Sequence, residues 1–470
     1  MTSEEYEKAL ESLFRRRRFG ARPGLEPIRA LLGGLADPQL RFSSIHVAGS
    51  KGKGSVSAMA ESILRAAGRS TGLYTSPHLR SYRERIRVDG QPISEKDVSR
   101  ELNRVLEVES QLLSERSLEQ PATFFEVTTA LAFDHFARAK IDSAVVEVGL
   151  GGRLDATNVL AAPVDVITTI ELEHTDVLGP TLSHIAAEKA GILRAGASAV
   201  VGDLPDEAWT VVRRRTQELG LRVLRLSSEL RVSARELFEG GQRFTVDLPG
   251  HHFEALELPL EGGFQTRNAA VAVAAALRFA DANSFPLPES AIRRGLATVV
   301  WPGRLQRIGR NPDVYLDVAH TEESARALAH SLGEILPMTD PVGNAIVFGC
   351  LVGKRVEAIL PVLAPLARTI VLVPIRSDRG LSPLDLRRMA QGIFPRVVVA
   401  DSVRRGLAIA RAATEADGLL LITGSDYLAG EVLDEIESKP RGEPDLSDPS
   451  SKPESARAAS RPRAGPRSRA

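Results

Sequence analysis

His46-Val47-Ala48-Gly49-Ser50-Lys51-Gly52-Lys53-Gly54-Ser55-Val56-Ser57 is the stretch around which the rest of this 470-residue chain is organised. Ile45 to Ala48 reads as a short buried strand. Val56, Met59, Ile63 and Leu64 then recur at helical spacing, so the glycines fall in a strand-to-helix turn. Such a turn brings backbone N–H groups to the positive end of a helix, where an anion is stabilised. Gly49, Gly52 and Gly54 remove the side chains that would block a close approach. In a loop of this kind Lys53 supplies a point charge for outer phosphates and Ser55 a hydroxyl for a magnesium ion. The spacing departs from the generic phosphate loop. Only Ser50 and Lys51 separate Gly49 from Gly52, and Gly54 intervenes between Lys53 and Ser55. Taken alone, the stretch also allows a flexible, basic surface turn.

Composition narrows the class. A hydrophobic share of 43% and a charged share of 26% are those of a soluble globular protein, and the length predicts two or three domains. Lys plus Arg equals Asp plus Glu at 60 each, so no global field points to nucleic acid or membrane. The single Cys350 forms no internal disulfide, which suits a reducing cytoplasm. Its neighbours Ile346-Val347-Phe348 point to a buried structural thiol. The N-terminus lacks the apolar core of a signal peptide and no apolar run reaches membrane-spanning length, so a cytoplasmic protein is expected.

Apolar strands alternate with helical patterns along the chain. Strands are predicted at 70–75, 143–148 and 164–170, and helices at 124–139 and 182–190. This is the pattern of an α/β fold with a doubly wound, mostly parallel sheet of the P-loop type, whose ligands sit at the carboxyl ends of the strands. Between 222 and 260 short alternating strands predict a small antiparallel insert, and an alanine-rich helix follows over 266–280. Further strands at 314–318, 345–348, 369–373, 397–399 and 418–422 predict a smaller α/β, Rossmann-like C-terminal domain. The expected organisation is 1–300, 301–438 and a disordered tail over 439–470, where Pro, Ser, Arg and Gly dominate.

Taken in order, the polar runs resemble the folylpolyglutamate synthase and dihydrofolate synthase family, within the Mur ligase superfamily. The resemblance rests on Phe19-Gly20 with Pro23-Gly24-Leu25-Glu26, His46 to Ser55, Thr75 to Leu79 with Glu84-Arg85-Ile86, and Phe124-Phe125-Glu126. Its longest block is Glu147 to Asn158, and His174-Thr175-Asp176 and Glu188 to Ile192 follow. Asn268-Ala269-Ala270, Trp301 to Arg304, Asp317 to His320 and Thr423-Gly424-Ser425 continue it. The resemblance implies an ATP-dependent ligase that joins a pterin carboxylate to L-glutamate through an acyl phosphate, with two magnesium ions and a monovalent cation as a further expectation. It implies a monomer that binds no nucleic acid.

Residue by residue, the resemblance implies ATP contacts from Gly49, Ser50, Lys51, Gly52, Lys53, Gly54, Ser55, Asn268, Arg304 and Asp317. It implies magnesium contacts from Ser76, Glu147, His174 and a carbamylated Lys189, with Lys53, Lys189, His174 and Glu147 catalytic. Arg85, His320 and Ser425 fall where the family places glutamate. Thr123, Phe124, Phe125 and Glu126, with Leu154, Asp155 and Ala156, match its pterin-side segments. Asn268 at the start of an alanine-rich helix could equally be a cap. The sequence departs from the family where the usual Thr-Asn is Ser50-Lys51, the usual Asp-His is Glu173-His174, and Thr321-Glu322 follows His320. Gly353-Lys354-Arg355 and Ser425-Asp426-Tyr427 are further departures. Two alternatives remain: a paralogue that binds nucleotide or pterin without turnover, and a related amide ligase for another carboxylate.

Overall fold

A computed structural model describes residues 3–16, 24–336 and 341–437; the Phe19-Gly20 and Pro23 matches and the tail from 439 lie outside the described residues. The chain forms two compact units, Met1–Pro302 and Gly303–Ala470. No described helix is long and apolar enough to cross a membrane.

In the first unit α1 (Ser3–Arg15) and α2 (Glu26–Gly34) precede β1 (Ser43–Ala48), which leads through the glycine loop into α3 (Lys53–Ala66). Next come β2 (Thr71–Tyr74), β3 (Ile86–Val88), β4 (Gln91–Pro92), α4 (Glu95–Ser114), α5 (Phe124–Ala139) and β5 (Ser143–Glu147). The winding is completed by β6 (Val164–Ile167), α6 (Thr175–Leu178), α7 (Leu182–Ala190), β7 (Ser198–Val201), α8 (Asp206–Glu218) and β8 (Arg222–Arg225). The strand order is β4-β3-β2-β5-β1-β6-β7-β8. Only β3 and β4, at one edge, run antiparallel to their neighbours. A second sheet, of β9 (Arg231–Phe238), β10 (Gly241–Leu248) and β11 (His251–Leu258), precedes α9 (Gly263–Ala282) and α10 (Glu289–Ala297).

The antiparallel insert is therefore smaller than the 222–260 expected. Arg222–Arg225 pairs in parallel with β7 as the outermost strand of the main sheet. Arg222-Val223-Leu224-Arg225 is too short for its pattern to tell the two settings apart, so only the pairing distinguishes them.

Period-2 alternation assigns the two faces of the main sheet. Ile45, Val47, Val145, Val164, Val166 and Val200 pack on one face with residues of α3, α9 and the small sheet. On the other face Tyr74, Ala144 and Val146 pack with α2, α4 and α5, while Ile167, Ala199 and Val201 pack with α7 and α8. Between those two clusters the second face is polar. His46 and Asp165 alternate with the valines and are fully buried. The connection from β5 to β6 crosses this strip without forming a helix.

A buried loop needs partners for its polar groups, and a hydrogen-bonded network supplies them to Thr157 and Asn158, while Asp165 Oδ1 is buried without one. The Thr157 hydroxyl donates to Asp155 Oδ1 (2.5 Å) and accepts from His46 Nε2 (2.8 Å). His46 Nδ1 accepts from Arg194 Nη2 (3.4 Å), which also donates to Asn158 Oδ1 (3.1 Å). This proton order requires a neutral imidazole, and burial together with Arg194 holds the His46 pKa well below its usual value. The Arg194 N–H donates to Asp165 Oδ2 (3.2 Å), and its Nε lies 3.5 Å from that oxygen.

The second unit begins with β12 (Gln306–Gly309), β13 (Asp313–Leu316), α11 (Glu322–Ile335), β14 (Ala345–Phe348), α12 (Val356–Leu363) and β15 (Thr369–Leu372). It ends with α13 (Pro383–Ala390), β16 (Arg396–Val399), α14 (Val403–Ala413), β17 (Leu419–Thr423) and α15 (Asp426–Glu437). The order is β12-β13-β17-β14-β15-β16, parallel throughout except for the β12–β13 pair. Cys350, just after β14, is fully buried, and burial raises its thiol to about 11.

The polar strip has a measurable pH signature. Burial lifts the Asp165 carboxyl from 3.8 to about 7, against the attraction of Arg194. The folded form therefore binds the extra proton between those values, and its share of stability falls as pH rises from about 4 to about 7, by at most about 1.4 kcal/mol per unit. The chain's two tryptophans, Trp209 and Trp301, both lie in the first unit, so their fluorescence during urea unfolding reports on it. Asp165→Asn is expected to flatten the decline in stability between pH 4.5 and 7.5; equal slopes in the two proteins would show that Asp165 does not titrate there.

Candidate active site

The glycine loop is shaped by its neighbours. A Cβ on Gly49 would lie 1.9 Å from Thr168 Oγ1, one on Gly52 2.6 Å from Asn268 Oδ1, and one on Gly54 2.7 Å from the Trp301 ring. Gly52 also holds a left-handed φ of 82° as the residue before α3. The start of the loop is tied to the end of β6. The Ser50 N–H donates to Thr169 O (2.7 Å), the Lys51 N–H to Thr169 Oγ1 (2.9 Å), and Thr168 Oγ1 donates to Lys51 O (2.5 Å). Asn268 lies inside α9, six positions after Gly262, so it is not a cap. Its amide donates to Gln265 Oε1 (2.9 Å), and Gln265 donates to the Ser55 hydroxyl (3.3 Å). Thr168, Thr169 and Gln265 escape the sequence reading. Two hydroxyls closing an apolar strand are the signal that was available for the threonines.

Two lysines converge on one carbonyl. Lys53 Nζ and Lys189 Nζ both donate to Gly49 O, at 2.8 and 2.9 Å. Lys189, on α7, is only 2% exposed and also meets Glu173 Oε1 at 3.0 Å. Lys51 Nζ lies 3.6 Å from Glu173 Oε2. Burial, then Lys53, lowers the Lys189 pKa to about 8, because one carboxylate is shared among three ammonium groups. Burial opposes ionisation of Glu173, but Lys53, Lys189 and Lys51 together bring its pKa down to about 2.

The neighbouring strand ends carry oxygen donors. Glu147 closes β5 directly beside Val47 of β1. It is buried, and its Oε2 accepts the Ser76 N–H at 2.9 Å, just beyond β2. The Ser76 hydroxyl and the Glu147 carboxylate are hard donors that suit magnesium, an ion that keeps several waters and takes few protein ligands. His174 precedes α6 with a left-handed φ of 49° and is exposed. Among the described residues, no group of three or more His, Cys, Asp or Glu side chains is arranged to hold a metal. Lys189 as an ammonium does not fit a cation site; as a carbamate it would.

The remaining residues of this unit fall into two groups. Arg85 is buried, donates from Nε to His78 Nδ1 (2.8 Å), and sits 5.4 Å from the centre of the Phe124 ring, which stacks on Phe14. The Phe125 ring lies against Gly149 and 6.0 Å from Tyr74. Thr123 and Glu126 form a reciprocal capping box at the start of α5, so both side chains serve the helix here. Asp155 accepts from the Leu150 N–H (2.9 Å) and from Thr157, which makes it a brace of the crossover. Ala156 packs in the adjoining apolar cluster, and Leu154 is half-buried.

In the second unit Asp317 follows β13, beside β17. It accepts the N–H groups of Leu305 and Ala319, each at 2.7 Å. Burial raises it to about 6 despite Arg304, which itself lies 3.7 Å from Asp426. His320 Nδ1 contacts Val318 O (2.8 Å), and the Ser425 hydroxyl accepts from the Leu428 N–H (3.0 Å) at the start of α15.

A glycine loop on a doubly wound sheet, followed in the same chain by a second, mostly parallel α/β unit, is the two-unit organisation of Mur ligases. The model of the Mur ligase middle domain matches residues 47–276, and that of the Mur ligase, glutamate ligase domain matches residues 303–426. The chain belongs to the folylpolyglutamate synthase and dihydrofolate synthase family of these ATP-dependent ligases. It is 35% identical over 410 residues to folylpolyglutamate synthase of Lacticaseibacillus casei, covering 86% of this chain and 92% of that one. It is 38% identical over 402 residues to dihydrofolate synthase/folylpolyglutamate synthase of Mycobacterium tuberculosis, covering 83% and 82%. A probable bifunctional folylpolyglutamate synthase/dihydropteroate synthase of Haloferax volcanii is 36% identical over 433 residues, and the chain spans 50% of its length. The structure of Mycobacterium tuberculosis folylpolyglutamate synthase complexed with ADP matches with a TM-score of 0.86 at 34% identity, covering 93% of this chain and 99% of that one.

The loop contacts separate backbone strain from steric clash. Gly52 and Gly68 share a φ of 82°, but a Cβ on Gly68 meets nothing within 4 Å. Each alanine substitution should cost about 1 kcal/mol from the left-handed backbone. Gly52→Ala alone should add the clash with Asn268 and reduce ADP affinity at least about tenfold. Calorimetric titration with ADP, beside urea unfolding of both variants, measures the two effects. Unchanged ADP affinity in Gly52→Ala would remove the loop from the nucleotide site.

Proposed function

We propose that this ligase adds L-glutamate to dihydropteroate, to folyl or tetrahydrofolyl glutamates, or to both, through an acyl phosphate. A carboxylate oxygen of the pterin substrate attacks the γ-phosphorus of ATP and ADP leaves. The amine of glutamate then attacks the acyl carbon, phosphate leaves, and the amine gives up a proton as the amide forms. The observation that supports this most is the convergence of Lys53 and Lys189 on the Gly49 carbonyl, one strand away from Glu147. The Lys53 ammonium, with an oxygen donor set of Glu147 and carbamylated Lys189 for magnesium, would then flank the place where a terminal phosphoryl group lies, and phosphoryl transfer depends on that neutralisation.

In this reading the N–H groups at the start of α3, up to Ser55, receive the phosphates, Lys53 follows the charge of the phosphoryl group, and Asn268 beside Gly52 meets the adenine. Magnesium, when bound, neutralises the phosphate oxygens and aligns them; Ser76, Glu147, His174 and carbamylated Lys189 would hold it. On the first unit Phe124 orients the pterin substrate and Arg85 the glutamate, while Arg304, Asp317, His320 and Ser425 serve nucleotide and glutamate on the second. Radiolabelled glutamate, ATP and magnesium, offered with dihydropteroate and with tetrahydrofolate side by side, test the reading. Ligation of neither would leave another carboxylate as the substrate.

The surroundings of Lys189 support its carbamylation. Carbon dioxide adds only to the neutral amine, with loss of one proton. A pKa of about 8 leaves about one amine in ten neutral at pH 7, against a few in ten thousand for an ordinary lysine. At a fixed carbon dioxide pressure, activation should therefore accelerate from pH 6.5 to about 8 and then level off. Carbon-13 bicarbonate should give a carbamate signal in the wild-type protein that Lys189→Ala lacks. A signal that survives Lys189→Ala, or none in either protein, would overturn this assignment.

A further inference from the structure

Lys51 and Glu173 both depart from the family pattern around the loop, and the structure brings these departures together. Their charged groups lie 3.6 Å apart, with side-chain exposures of 27% and 12%. The other Glu173 oxygen lies 3.0 Å from Lys189 Nζ, on a side chain only 2% exposed. Lys53 faces the same carboxylate and shares the Gly49 carbonyl with Lys189. Three ammonium groups thus surround one carboxylate at the mouth of an anion-receiving loop. Two positive charges remain uncompensated within this group, and the one internal anion occupies their common focus.

We propose that Glu173 is an internal stand-in for the terminal phosphoryl group of the nucleotide. It neutralises the lysines while the site is empty, and the incoming outer phosphate takes Lys51 from it. The lysines differ in their freedom to exchange partners. Lys189, as the uncarbamylated ammonium, is enclosed and keeps its contacts, whereas Lys51 is the more exposed of the two lysines ion-paired to Glu173 and can turn to a ligand. Any attraction between Lys51 and a phosphate is measured against the ion pair given up, so the Lys51–Glu173 pair sets nucleotide affinity. The proposal rests on the ATP-site reading of this loop.

Calorimetric titrations with ADP and with the non-hydrolysable analogue AMPPCP, in EDTA and without bicarbonate, test it apart from turnover. Glu173→Gln should tighten AMPPCP binding about tenfold, and ADP binding less, because ADP lacks the outer phosphate. Lys51→Asn should change AMPPCP binding little in the wild-type background, where contact and pair are lost together, but should reverse most of the gain in the Glu173→Gln background. Glu173→Ala is expected to behave like Glu173→Gln and serves if that variant does not fold. Equal tightening for ADP and AMPPCP, no tightening, or a gain that persists in the double variant would each overturn the proposal. If the wild-type protein binds neither nucleotide, the ATP-site reading itself falls.

Discussion

There is no room for a β-carbon at Gly49, Gly52 or Gly54, and the first unit is built on that constraint. The three obstructing groups, on Thr168, Asn268 and Trp301, come from the end of β6, the second turn of α9 and the close of the unit. A loop that must receive an anion has to hold its N–H groups in place before the anion arrives. Here local sequence provides permissive residues, and distant segments then remove the remaining freedom. Correct placement of α9 and Trp301 is therefore part of forming the loop.

Electrostatics extends the same theme. Helix termini and lysines gathered around an empty anion site would repel one another without a counter-charge, and burial makes that repulsion stronger. Glu173 relieves it from the loop after β6, the segment that also ties down Ser50 and Lys51 through Thr169. Shape and charge of the site are consequently set by one strand end. The two effects are inseparable in the folded chain, because shifting residues 168–173 would move both.

Much of this was legible in the sequence, and the boundary of legibility has physical causes. The helices Phe124–Ala139 and Leu182–Ala190 have the limits that the apolar pattern predicts, because Thr123 and Thr181 cap them with local side-chain bonds. The glycine loop was readable as a strand-to-helix turn because an apolar strand precedes it and an apolar helical face follows it. Arg222–Arg225 was misassigned because a four-residue strand does not report its partner. Glu173 appeared only as a departure from a family pattern, since its meaning depends on Lys51 and Lys189, which are far from it in the chain. Thr123 and Glu126 carried the spacing of a capping box, and the structure uses them that way. A short motif can hold a helix end and border a site at once, and sequence alone does not rank those uses.

The helix-free crossover between β5 and β6 has an engineering consequence. Thr157 and Asn158 within it bond to His46 on β1 and to Arg194 after α7, and Asp165 on β6 holds Arg194 in turn, three positions scattered through the fold. A chimera that imported residues 148–163 from a distant relative would place foreign hydroxyls and amides against an imidazole and a guanidinium set for Thr157 and Asn158. Conversely, replacing His46 with the valine that its strand neighbours suggest would leave the crossover lying on an apolar surface. These four segments are thus inherited together or not at all. Recombination across this unit should succeed at the outer strands and fail at its centre.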